Sequence, residues 1–152
     1  MRALATRPAE VATALLFHDA IYVPLAPDNE ARSAALAGEC LERAGADPTA
    51  TGRVRAAIEA TRSHEAPDGG DAALVLDIDM SILAAPAATF EAYEDGVRDE
   101  HATIDDASFA RGRSAFVRDL LARDRLFHLD TLHERWDAAA RANLERSARR
   151  WR

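Results

Sequence analysis

DAALVLDIDMSILA, residues 71 to 84, restricts the fold more than any other stretch of the chain. LVLDIDM alternates as a strand does, but the apolar run is long enough to favour a helix. As a helix, Ala72, Val75, Leu76, Asp79, Ile82 and Leu83 share one face, and Ala73, Leu74, Ile78 and Met80 leave little of the remainder polar. A helix that is apolar nearly all round must lie inside a core, so other helices have to surround it. The same helix carries Asp77 and Asp79 inward, and a buried carboxylate is costly unless a cation or a hydrogen-bond network compensates it.

The rest of the chain reads as the helices such a core needs. Pro8 to Tyr22 has the stripe Val11, Leu15, His18, Tyr22, at intervals of four, three and four. Pro24 and Pro27 break the chain, and Asp28 is placed to cap a second helix ending near Gly45. A third runs from Asp47–Pro48 to about His64, with Val54, Ala57, Thr61 and His64 in line. APDGG at 66 to 70 is a loop. After the central helix come one from Ala87 to Ile104, one capped by Ser108, and one opened by the capping box Thr131–Glu134. The expectation is an all-α fold, a single domain over residues 1–152 built as a bundle of six or seven helices.

Composition narrows the function. Alanine and leucine dominate the apolar 48%, which favours helix, and aromatics are only 6%. A net charge of −7 argues against a nucleic-acid polymer or an anionic membrane surface as partner. Cys40 is the only cysteine, so neither an internal disulfide nor a cysteine-built zinc site is available. A single free thiol fits a reducing cytoplasm.

Three places put ionisable groups where periodicity expects burial: His18–Asp19, His64, and Asp77 with Asp79. A divalent ion would account for them together, since imidazole and carboxylate suit Mn, Fe, Co, Ni or Zn and the cation offsets the negative charge. A core histidine with an ordinary hydrogen bond, and aspartates paired with Arg32, Arg55 or Arg98, account for them equally well.

FHDAIY, DNEARSA at 28 to 34, IEATRSH at 58 to 64 and LDIDMSIL at 76 to 83 resemble the HD-domain superfamily of metal-dependent phosphohydrolases, in particular a bacterial branch. EAYEDGVRDEHATI, ARGRSAFVRDLLARDRLF and ARANLE extend the resemblance along nearly the whole chain. It implies an HD-like bundle in the cytoplasm that hydrolyses a nucleotide or another small phosphoester with a divalent metal, Mg included. His18 and Asp19 match the metal-binding doublet and Asp79 the distal ligand, with Asp77 as the alternative. His64 resembles histidines that hold a second metal or phosphate. Glu30, with Asp79, would help to activate water, and Arg32, Arg62 and Arg98 would face phosphate. The superfamily's first histidine, on a preceding helix, has no counterpart before His18. The expectation is therefore either a start upstream of Met1 or a lost ligand, with apolar surface left for a second subunit to close, as in a homodimer. The alternative is a helical module that binds a small phosphate ligand or a protein partner without turnover.

Overall fold

A computed structural model describes residues 4–65 and 69–151. Among the described residues there are seven α-helices and no strand, as an all-α fold requires. Residues 66–68, within the expected APDGG loop, lie outside the described residues. No single helix among those described is long and apolar enough to cross a membrane. The chain divides into two compact units, one ending at Asp79 and one starting at Met80.

The first unit holds α1 (Pro8–Phe17), α2 (Asn29–Arg43), α3 (Pro48–Ala60) and α4 (Gly70–Asp79). α4 is the buried helix the sequence demands: Ala73, Leu74, Val75, Leu76 and Asp77 are all buried. It packs on α1 and α3. Asp71 in its first turn accepts the backbone N–H groups of Thr6 and Arg7 at 2.7 and 2.8 Å. Arg53 of α3 grips Glu10 of α1 with two bonds of 2.7 and 2.6 Å. α2 meets α3 through a face of small residues, Ser33, Ala34, Ala37 and Gly38. A β-carbon on Gly38 would stand 2.9 Å from the Arg55 side chain, so glycine permits the approach. Asp47 caps α3, accepting the Ala50 N–H at 2.9 Å.

α1 stops at Phe17, short of the expected Tyr22. Side chains of α2 take the backbone groups that a further turn would have used. Ser33 Oγ accepts the Ile21 N–H at 3.0 Å, and Asn29 bonds both the N–H and the carbonyl of Val23 at 2.9 Å. Ser33 and Asn29 are buried, so the segment after α1 is fixed to α2 by compensated polar groups.

The second unit holds a 3₁₀ segment (Met80–Ala84), α5 (Ala87–Glu100), α6 (Asp106–Leu121) and α7 (Asp130–Arg150). Two expected caps differ. Asp105, not Ser108, caps α6, accepting the Ser108 N–H at 2.9 Å. α7 starts at Asp130, where the Leu129 carbonyl already accepts the Leu132 and His133 N–H groups at 2.9 and 2.8 Å. Thr131 is therefore inside the helix, and the capping box does not form. Asn143 of α7 holds the 3₁₀ segment, donating to the carbonyls of Leu83 and Ala85 at 2.7 and 2.9 Å. Arg98 is committed to the turn before α6, bonding the His101 and Ile104 carbonyls at 2.9 and 3.1 Å and Asp106 at 2.6 Å. That occupation removes it from the set of candidate phosphate ligands.

Glu94 on α5 is the unit's buried charge. It accepts bonds from Ser147 at 2.6 Å and Trp151 at 2.5 Å, and it pairs with Arg113. Arg113 in turn lies over Phe116 at 4.8 Å and Tyr93 at 5.7 Å. Burial alone would raise the Glu94 pKa, but the bonds from Ser147, Arg113 and Trp151 outweigh it and hold the carboxyl below its usual range. Glu94→Ala leaves the Arg113 charge uncompensated and is expected to destabilise the protein by about 3 kcal/mol, read from urea denaturation at pH 7. A depressed folded-state pKa stabilises above the unfolded value of about 4.3 and ceases to do so as pH falls through the folded value. Denaturation midpoints at pH 7 and pH 3 should therefore differ less in Glu94→Gln than in the unmutated protein.

Candidate functional site

His18 is the residue at which α1 ends, its N–H still bonded to the Ala14 carbonyl at 2.9 Å. Asp79 is the last residue of α4, and His64 lies in the turn beyond α3. Three helix ends of the first unit thus converge on one carboxylate. Asp79 Oδ1 is 3.2 Å from His18 Nε2, and Asp79 Oδ2 is 3.0 Å from His64 Nε2. Asp19 Oδ2 stands 3.3 Å from the same His18 Nε2. The side chains of His18, Asp79 and His64 are 20%, 23% and 28% exposed, whereas Asp19 is 64% exposed. Asp19 therefore meets His18 at the solvent edge of the cluster, and Asp79 forms its more buried part.

The second nitrogen of His18 fixes what the first can do. Nδ1 lies 2.8 Å from the Leu15 carbonyl oxygen. A carbonyl only accepts, so Nδ1 carries a proton. Neutral His18 would then aim an Nε2 lone pair at two carboxylates. The arrangement is favourable only if His18 is an imidazolium or if a cation stands among these atoms. With the protein's own groups alone, the bonds to Asp19 and Asp79 raise the His18 pKa to about 10, against the opposing effect of burial. Burial would raise the Asp79 pKa, yet the bonds and charges of His18 and His64 win and hold it well below the usual carboxylate range.

His64 pays for its position in backbone strain. Its φ is 53°, in the left-handed region that glycine or asparagine normally fills where a helix ends. A β-carbon there costs about 1 kcal/mol. The chain nevertheless places histidine at this point, and its imidazole reaches Asp79.

Asp77 is fully buried in α4. Two residues before Asp79, it is about 200° away round the helix, and the contacts of 3.2 and 3.0 Å with His18 and His64 are those of Asp79. Glu30 is half-buried in the first turn of α2, with no hydrogen bond or ion pair to the cluster among the described residues. Arg32 on α2 and Arg62 in the turn before His64 are exposed. The Leu15 carbonyl is a member that sequence reading misses, because no side-chain pattern marks a backbone acceptor.

The donor set fits a divalent cation in its chemistry: two imidazole nitrogens and two carboxylates, with the His18 tautomer fixed by a backbone carbonyl as in many metal sites. Among the described residues, however, no three His, Cys, Asp or Glu side chains already stand around one point as a metal cage would. The donors touch one another instead. Comparison with family models, curated proteins and solved structures gives no match.

The strain at residue 64 can be measured apart from any activity. His64→Gly and His64→Ala both lose the contact with Asp79, but only alanine retains the backbone penalty. His64→Gly is expected to be the more stable of the two by about 1 kcal/mol in urea denaturation.

Proposed function

We propose that the chain is a metal-dependent phosphohydrolase of the HD-domain type, acting on a small phosphoester at His18, Asp19, His64 and Asp79. The observation that carries this reading is the pairing of His18 Nε2 with two carboxylates while Nδ1 is bonded to the Leu15 carbonyl at 2.8 Å. That pairing asks for a positive charge, and a divalent cation is the charge with a chemical use. His18, Asp19 and Asp79 would hold it, with His64 as a further donor. Such an ion supplies Lewis acidity, which acidifies water and polarises a phosphoryl oxygen.

The protein's own groups have definite tasks in this reading. The Leu15 carbonyl keeps the His18 ring oriented. Asp79 holds both imidazoles, one with each carboxylate oxygen. Arg62, exposed and two residues before His64, is the cation best placed along the chain to meet a phosphate; Arg32 is a second. Glu30 would donate to a leaving group only if the substrate spans the distance to α2.

A second reading is favoured by one observation, the direct contacts among the donors in place of a ready cage. In that reading His18, Asp79 and His64 form a structural knot in a helical module that binds phosphate or a partner without turnover.

Metal addition separates the two. Mn²⁺ or Co²⁺ is expected to raise the melting temperature of the unmutated protein and not that of Asp79→Asn. Loss of even a residue that supports a ligand typically costs ~10–100-fold, so His18→Ala should lower metal-stimulated phosphomonoesterase activity by at least about 100-fold. A protein that gains no thermal stability from either ion and hydrolyses nothing in their presence fits only the second reading.

A further inference from the structure

α2 reaches back to the segment that carries Asp19. Asn29 and Ser33 are one helical turn apart on α2 and share a face. Each of their side chains takes both backbone groups of a single residue. Ser33 Oγ accepts the Ile21 N–H at 3.0 Å and donates to the Ile21 carbonyl at 3.3 Å. Asn29 Oδ1 accepts the Val23 N–H, and its Nδ2 donates to the Val23 carbonyl, both at 2.9 Å. Ser33 and Asn29 are buried, so little water competes for these bonds. The chain on the other side of Asp19 is fixed as well: the His18 N–H bonds the Ala14 carbonyl at 2.9 Å, and the Ala20 N–H bonds the Phe17 carbonyl at 3.0 Å.

Asp19 lies between these two restraints. Its side chain is 64% exposed, so packing does little to hold it. An aspartate arm has only two torsions, and the backbone beneath it decides where its carboxylate can land. With the turn at Ala20 and the grip on Ile21 in place, Asp19 Oδ2 stands 3.3 Å from His18 Nε2. Further along, Leu25 holds a φ of 67° although its side chain is exposed. Such strain persists only where the surroundings enforce it. Here the Val23 carbonyl accepts both Asn29 Nδ2 at 2.9 Å and the Ala26 N–H at 3.0 Å, which closes the turn around Leu25. The segment is held by side chains of α2 and not by burial of its own, since Tyr22, Val23 and Leu25 are all exposed.

We propose that Asn29 and Ser33 are the positioning residues of the His18–Asp19 pair: by gripping Val23 and Ile21 they hold the exposed Asp19 carboxylate where it can share a cation with His18. The inference rests on the metal-dependent reading of the cluster and adds the residues that keep its most exposed donor in place. Neither Asn29 nor Ser33 touches the cation; both act through the backbone that leads to Asp19.

The test is Co²⁺ binding, followed by the visible absorption of the bound ion. It uses the unmutated protein, Asn29→Ser, Ser33→Ala, Asp19→Asn, and each α2 variant combined with Asp19→Asn, with helix content checked by circular dichroism. Loss of a supporting partner typically weakens metal binding ~10–100-fold, so Asn29→Ser and Ser33→Ala should each raise the Co²⁺ Kd at least about tenfold. In the Asp19→Asn background neither should raise it further, because the group they position is already gone. Serine is well tolerated at the start of a helix, so Asn29→Ser decides the matter alone if Ser33→Ala does not fold. Equal Co²⁺ affinity in the unmutated protein and both α2 variants would overturn the positioning role and leave the metal reading standing. So would weakening of the same size in both backgrounds, which marks a general loosening of the fold, or an Asp19→Asn protein that binds Co²⁺ as the unmutated one does. An unmutated protein that binds no Co²⁺ would remove the metal reading and this inference with it.

Discussion

The carboxylate of Asp79 is the point on which the first unit's chemistry depends. It terminates α4, whose apolar surface forces it into the interior, and it engages an imidazole with each oxygen, at 3.2 and 3.0 Å. An ionised carboxylate in that position needs positive partners. His18 supplies one of them: its bonds to Asp19 and Asp79 favour the imidazolium, so the charge on the ring and the charge on Asp79 sustain each other.

Glu94 shows what a finished buried carboxylate looks like in the same chain. Serine, tryptophan and arginine donors saturate it, and its arginine is flanked by aromatic rings. Every acceptor has a donor, and nothing in that network asks for another charge. His18 differs on this count. Its Nε2 faces two acceptors while its Nδ1 is already committed to a third. The His18 network closes when the ring is an imidazolium, since both of its nitrogens then donate.

The sequence made some of this legible and concealed the rest for definable reasons. The all-round apolarity of residues 71–84 announced a buried central helix, and α4 with the following 3₁₀ segment occupies that stretch. The pairing of His18 with Asp79, and the arrival of His64, were likewise readable as polar groups on apolar stripes. Periodicity could not show that α1 ends before His18, because the competing acceptor and donor, Ser33 and Asn29, lie on another helix. It could not show that His64 leaves α3 with a positive φ, since nothing but a glycine or asparagine would have signalled that turn. Ser108 and Thr131 are attractive caps by residue type, yet α6 is capped by Asp105, three residues before Ser108, and α7 starts after Leu129, two residues before Thr131. Glu94 carried a usable signal that composition hid. It follows Phe90 by four residues on the apolar face of α5, the spacing that should mark a charge as buried.

The placement of all three cluster residues at helix ends bears on which role they serve. Groups in mid-helix are held by the backbone on both sides and suit a fixed structural bond. His18 sits where α1 stops, Asp79 where α4 stops, and His64 in a strained turn. Asp79 passes directly into the 3₁₀ segment at Met80 and is held by helical backbone on both sides, whereas His18 and His64 lie in turns. The strain at residue 64 costs about 1 kcal/mol, and the bond from its imidazole to the Asp79 carboxylate at 3.0 Å is of a size to offset it.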